Sequence, residues 1–244
     1  MIISESCGVA PERQFHILSP VNSGAEIAQQ LFVVNSIPLV EPSIQKTLHK
    51  RYNPALIIKI AKRLSIELKD VIFVVVSRDP ASWLEATGVN HHELISDNIN
   101  SNLSIDLNIA KSAVNYKTNL AGNGIGDDVY GKYLSYNNVV HYWQDFYENA
   151  LGLQDNHFNI VIVKYEDLLL NTAECVEGFR KLVGIVSEPY VLVPLRPSNI
   201  KADDQGYLSA RAKLLNEKGY EFFAREASVR TRFDKELLKR LGYD

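Results

Sequence analysis

The run Val71-Ile72-Phe73-Val74-Val75-Val76 restricts the fold more than any other stretch of this chain. Six apolar residues stand in a row, and five of them are β-branched. Branched side chains are stiff at χ1 and suit a pleated surface. A strand with one wet face alternates apolar and polar residues; this one does not, so both of its faces are to be covered, as in a parallel sheet flanked by helices. Asp70 precedes the run and Ser77-Arg78-Asp79-Pro80 ends it. Phe15-His16-Ile17-Leu18 and Asn159-Ile160-Val161-Ile162-Val163-Lys164-Tyr165 are two further strands of similar kind.

Helical patterns lie between them. Ala25 opens a helix that ends before Asn35-Ser36-Ile37-Pro38, and Leu39 to Pro42 is a short extended piece. Asn53-Pro54 is a helix start, with Asn as cap and Pro at the first helical position. Leu56, Ile57, Ile60, Ala61 and Leu64 then recur at helical spacing. Ser43 to Lys50 reads as another strand with a polar end. Pro80 to Ala86 opens a helix in which Ser82 is a capping candidate, and Asn137 to Leu151 returns to helical spacing with Val140, Trp143 and Tyr147. A cap at Asn171 or Thr172 leads into a helix through Val176, Phe179 and Leu182 that Gly184 stops. The region from Ser209 onward is charged and helical. Strands alternating with helices predict an α/β fold, one three-layer α/β/α domain over residues 1–244 around a central, mainly parallel sheet. Residues 88–135, rich in Asn, Ser, Asp and Gly, read either as a surface excursion or as a substrate lid.

Composition narrows the class. Apolar residues make up 46% and charged residues 23%, which excludes a disordered chain. The net charge of −3 gives no reason to expect nucleic acid as a partner. Cys7 and Cys175 match no metal spacing, and adjacent His91 and His92 do not share a face. With no basic, apolar leader and no run of about 20 apolar residues, a cytoplasmic protein without a membrane partner is expected.

In open parallel sheets, ligands bind beyond the carboxyl ends of the strands. Three features fall on that rim. Ser19-Pro20-Val21-Asn22-Ser23-Gly24-Ala25-Glu26 follows the first strand and opens a helix, an arrangement that aims backbone N–H groups and a helix dipole at an anion. Arg78 ends the apolar run, where its guanidinium suits a bidentate phosphate contact or an ion pair with Asp79 or Glu166. Glu166 and Asp167 end the later strand and read as structural, bonding backbone or capping the next helix. Trp83, Trp143 and Tyr147 read as core.

Three stretches together resemble the sulfotransferases that use 3′-phosphoadenosine 5′-phosphosulfate (PAPS). Val71 to Pro80 is similar to the family's strand ending in Arg-Asp/Asn-Pro, Val163-Lys164-Tyr165-Glu166-Asp167-Leu168 to its Tyr-Glu-Asp-Leu strand end, and Leu237-Leu238-Lys239-Arg240-Leu241-Gly242-Tyr243-Asp244 to the ends of many bacterial members. The resemblance implies a P-loop NTPase-like fold. It places Pro20 to Glu26 at the 5′-phosphosulfate loop, gives Arg78 the 3′-phosphate, and puts Lys46-Thr47-Leu48-His49 near the family's Lys-Thr-His strand end. PAPS is then the co-substrate, no metal is implied, and the acceptor is a hydroxyl of a small molecule or sugar.

The departures are specific. Asn22 stands where the loop has its cation, Ser23 and Gly24 are kept, and Ala25 and Glu26 replace hydroxyl residues. Ala86 stands where the family has a Ser, with Ser82 close by but off register, and Arg196 and Lys201 are the candidates to replace a late Arg-Lys-Gly segment. His49 is the candidate base, Glu41 its rival, and Lys46 a further catalytic candidate. The PAPS contacts fall to Ser19, Asn22, Ser23, Gly24, Ala25, Glu26, Arg78, Ser82 and Arg196. Two other functions compete: a member of the fold that binds without catalysis, and a nucleotide-dependent kinase, which would lack any Gly-Lys-Ser/Thr.

Overall fold

The computed structural model describes residues 13–20, 23–50, 52–86, 139–186, 188, 190–194, 207–216 and 229–243. Strand β1 is Gln14–Leu18, β2 is Val71–Ser77 and β3 is Ile160–Lys164. All pairings are parallel and the order is β1-β2-β3, with Gln14 opposite Val71 and Ser77 opposite Lys164. Every residue of β2 is buried. The strand without a polar side is the central one, where sheet neighbours and helices cover all of it.

Side chains of β2 alternate between two cores. Val71, Phe73 and Val75 face a cluster built with helices α3 (Pro54–Arg63), α5 (Val139–Asp155) and α9 (Lys235–Leu241). Ile72, Val74 and Val76 face a second cluster that takes in α1 (Ala25–Val34), α6 (Tyr165–Leu170), α7 (Thr172–Leu182) and α8 (Tyr207–Asn216). Full burial of such a side chain stabilises by about 1.5–3 kcal/mol, and this one strand contributes to both cores at once. Edge-to-face rings fill the second core, with Phe15 on Phe32 at 5.1 Å and on Phe179 at 5.6 Å. Trp83, Trp143 and Tyr147 are fully buried, as core residues should be.

Local signals explain several boundaries. The Asn53 side chain accepts the Ala55 N–H at 2.9 Å and caps α3, with Pro54 at its first position. Gly184, at φ +73°, follows the end of α7. Leu39 forms a single parallel bridge to Phe15, so the extended piece covers the outer edge of β1. Among the described residues no helix is long and apolar enough to cross a membrane.

Other expectations are corrected. Residues 43–50 are not a strand: Pro42–Thr47 is helix α2, with Gln45 N–H donating to Glu41 O and Leu48 N–H to Ile44 O. The edge that a strand would need is already taken by Leu39, and Ile44 and Leu48 lie one helical turn apart. Helix α4 (Pro80–Ala86) is capped by Asp79 rather than Ser82, since Asp79 Oδ1 accepts the N–H groups of Ala81 and Ser82 at 3.0 and 3.1 Å. Asn171 is the N-cap residue of α7, one of the two positions expected, but its side chain does not cap the helix. The Asn171 side chain donates to Asp167 and the Thr172 hydroxyl bonds to Leu168 O and Tyr207, because a short helix, α6, fills the space before it.

Candidate functional site

Because the three strands run parallel, their carboxyl ends open on one rim, with Ser19, Arg78 and Tyr165 the next residues along each strand. The loop after β1 is held from beneath. Ser19 N–H donates to Lys50 O at 2.9 Å, and the Ser19 hydroxyl donates to Pro20 O at 2.9 Å. Gly24 occupies the N-cap of α1 at φ +99°, a left-handed conformation that favours glycine, and no side chain caps this helix. The buried Ser23 hydroxyl lies beside the Tyr147 phenol and makes no hydrogen bond of good geometry to a described residue. The Tyr147 phenol on that side spends its proton on Val76 O at 2.9 Å. An uncapped helix start beside a buried, unpaired hydroxyl suits the oxygens of an anion. Ala25 is buried at the first position of α1. Glu26, a carboxylate in the first turn, is neutralised by Lys50 Nζ at 2.8 Å.

Arg78 lies against Tyr165 at the end of β3. Its guanidinium carbon stands 4.3 Å from the ring centre of Tyr165, and its Nε donates to Ser82 Oγ at 2.9 Å. Ser82 thus orients the arginine. A Cβ added to Gly24 would overlap the edge of the same Tyr165 ring. One tyrosine therefore touches both the loop and the cation.

The two acids considered as partners for Arg78 are engaged elsewhere. Asp79 Oδ2 accepts from Arg230 Nη2 at 2.7 Å and Nε at 3.1 Å. Glu166 Oε1 accepts the Asp79 N–H at 3.0 Å, and its Oε2 accepts the Tyr243 hydroxyl at 3.0 Å. Burial raises the Glu166 carboxyl above the usual carboxylate range, against the opposing pull of the Asp79 N–H. Tyr243, raised by burial and then by the Glu166 charge, also meets Ser77 Oγ at 3.1 Å. Lys164 Nζ donates to Gly242 O and lies 5.0 Å from the Tyr243 ring centre. The last turn of the chain thus braces the ends of β2 and β3. Sequence reasoning missed Arg230, which sits in no motif, while Tyr243 was visible only as part of a closing pattern.

A pocket of about 270 Å³ opens between α1, α2 and the edge of β1. Gln29, Gln45, Lys46, His49 and Lys50 supply its polar lining, and Ile17, Leu39 and Pro42 its apolar side. His16 completes it. Its Nε2 meets Leu48 O at 2.6 Å, and a carbonyl can only accept, so Nε2 carries the proton. Nδ1 is then a buried lone pair without a partner. Burial lowers the His16 pKa to about 4, with the Leu48 hydrogen bond opposing, and the ring is neutral at pH 7. The signal that could have found His16 was a lone imidazole in an otherwise apolar strand.

The structure brings Lys46 and His49 together in this pocket, and Ser19 is tied to its Lys50 end. Glu41 is not part of that lining; it sits exposed at the start of α2, with the Ser43 hydroxyl 3.4 Å from its Oε2. Asn22 and Arg196 lie outside the described residues, as do Lys201, His91, His92 and the 88–135 segment.

No family model matches the chain, and no curated protein matches it. Among solved structures it is similar to the crystal structure of a sulfotransferase from Alicyclobacillus acidocaldarius, at 11% identity and a TM-score of 0.39, over 95% of this chain and 100% of that one. A likeness at that TM-score carries no argument about function, which has to be built from the residues themselves.

Proposed function

We propose that the rim binds PAPS and that the protein transfers its sulfuryl group to a hydroxyl of a small molecule or sugar. The observation that carries this reading is that one ring, Tyr165, touches both Gly24 of the helix-start loop and the strand-end guanidinium of Arg78. Two anion-binding features at that spacing suit a ligand charged at both ends, and the adenosine bisphosphate skeleton is such a ligand.

In this reading the uncapped N–H groups of α1 and the Ser23 hydroxyl hold the 5′-phosphosulfate end, while Arg78, oriented by Ser82, holds the 3′-phosphate. His49 takes the proton of the acceptor hydroxyl as its oxygen forms the new S–O bond; the S–O bond to the leaving phosphate breaks. The bonded pair Lys50–Glu26 keeps the carboxylate from repelling the ligand. Positioning and electrostatics carry most of the rate in chemistry of this kind.

One observation favours binding without transfer. Lys50 is committed to Glu26, and position 22 is Asn, so the loop has no evident cation for charge on the leaving phosphate. Calorimetry with 3′-phosphoadenosine 5′-phosphate tests the shared part, and absence of binding at millimolar ligand would sink both readings. Transfer of labelled sulfate from PAPS, lost in Arg78→Ala, then selects the enzyme.

A further inference from the structure

Behind Arg78 lies a partly buried carboxyl with no cation of its own. Glu166 follows Tyr165 in sequence, and among the described residues it makes two hydrogen bonds to other residues and no ion pair. The basic groups nearby are bonded elsewhere. Arg230 is bonded to Asp79, Lys164 to Gly242 O, and Arg78 to Ser82 and the Tyr165 ring. The other ionisable groups near it are Asp79, whose charge opposes its own, and the phenols of Tyr147 and Tyr243. Asp167, the next acid along α6, accepts from Asn171.

The two oxygens of Glu166 hold the turn of Arg78 from behind. Oε1 accepts the Asp79 N–H at 3.0 Å, which fixes the peptide joining Arg78 to Asp79. Oε2 accepts from the Tyr243 hydroxyl at 3.0 Å, and that hydroxyl lies 3.1 Å from Ser77 Oγ. Such a chain can hold the acid in either charge state. With a proton on Oε2 the order reverses: Glu166 donates to Tyr243, Tyr243 to Ser77, and the Ser77 hydrogen turns to Val163 O at 3.5 Å. No heavy atom has to move. The charge is what changes. An anion on the rim brings a second negative charge toward an uncompensated carboxylate, and in a partly buried site the two repel.

We infer that Glu166 is a positioning residue for the turn of Arg78, and that it takes up a proton from solvent when an anion binds at the rim. This rests on the anion-binding part of the reading above and not on transfer. The sign follows from linkage. Anion binding favours the protonated acid, so affinity is greatest at low pH and falls as pH rises through the titration of Glu166. That titration lies above the usual carboxylate range, because burial opposes the charge.

Calorimetry of the full chain with 3′-phosphoadenosine 5′-phosphate tests this, run in two buffers of different ionisation enthalpy to count protons taken up. Glu166→Gln keeps an acceptor for the Asp79 N–H and a donor for Tyr243, and so imitates the protonated acid. Protons exchanged by the ligand's own phosphates cancel between the two proteins. The parent is expected to take up more protons than Glu166→Gln. Above the titration of Glu166 the variant is expected to bind about tenfold more tightly, the equivalent of a one-unit shift in the acid. A merely structural glutamate predicts the opposite, a weaker variant. Tyr243→Phe removes a hydrogen bond that favours the charged acid, and moves the fall in affinity to higher pH. If Glu166→Gln does not fold, Tyr243→Phe decides, and a fall at the parent's pH overturns the inference. Bisphosphate bound by both proteins with equal proton counts overturns the inference alone and leaves the binding reading in place. Bisphosphate that does not bind the parent overturns both.

Discussion

Gly24 and Tyr165 meet so closely that a single Cβ on the glycine would overlap Tyr165 Cδ2 and stand 3.0 Å from Cε2. They are 141 positions apart (165 − 24), and their contact joins the loop after β1 to the end of β3. Gly24→Ala carries two penalties, the positive φ and the overlap, and should cost about 2–4 kcal/mol of stability. Combining it with Tyr165→Ala relieves the overlap but not the backbone strain. Chemical denaturation of both variants checks this: if the double change were no less additive than two distant changes, the contact would not be the cause.

Arg78→Ala should weaken 3′-phosphoadenosine 5′-phosphate binding by about 1.5–3 kcal/mol, the worth of a hydrogen bond to a charged group. Arg78→Lys should recover little of it, because an ammonium lacks the planar fork. Ser82→Ala leaves the guanidinium in place but unguided and should cost only about threefold in affinity, roughly half of a neutral bond's worth. Calorimetry on the three variants ranks them, and equal losses for Ser82→Ala and Arg78→Ala would contradict the division of roles.

Asp79 serves α4 and Arg230 with different oxygens. Asp79→Asn keeps an acceptor for the cap and loses the charge, whereas Asp79→Ala loses both. Expected costs are about 1 kcal/mol for Asn and about 2–3 kcal/mol for Ala. Thermal denaturation of the pair of variants reads the difference, and equal melting temperatures would show that the cap contributes nothing.

His16 makes stability depend on pH with a definite sign. The unfolded chain binds a proton near pH 6.5, while the folded ring, lowered by burial, does so only at about 4. Below pH 6.5 the unfolded state therefore holds more protons than the folded one. Stability that is complete above pH 6.5 should fall by about 3 kcal/mol as the pH drops to 4. Urea denaturation across that range should show the slope in the parent chain and a shallower one in His16→Gln, which retains a donor for Leu48 O.

The strands, most helices and the rim position of Arg78 were readable because each rests on local order: an unbroken apolar run, a 3.6-residue period, an Asn-Pro start. Such signals need no partner elsewhere in the chain. The two misread elements, 42–47 and 165–170, are six residues long each, too short for a period to declare itself, and the state of the first depends on Leu39 having occupied the sheet edge. Ser82 was recognised as a candidate cap, yet its role depends on a neighbour's rotamer, with Asp79 taking the cap and Arg78 taking the hydroxyl.

From local pattern alone, this chain is an α/β protein with a parallel sheet, a glycine-containing loop into a helix after β1 and an arginine at the end of β2. Pairings across the fold were decided by packing. Arg230 claims Asp79, Tyr243 claims Glu166, Lys50 neutralises Glu26, and His16 is left with a buried, unpaired nitrogen. The reason is physical. A residue's propensity and its place in a period are set by neighbours within a few positions, whereas the partner of a buried charge is whichever group the closed core brings within about 3 Å, the reach of a hydrogen bond.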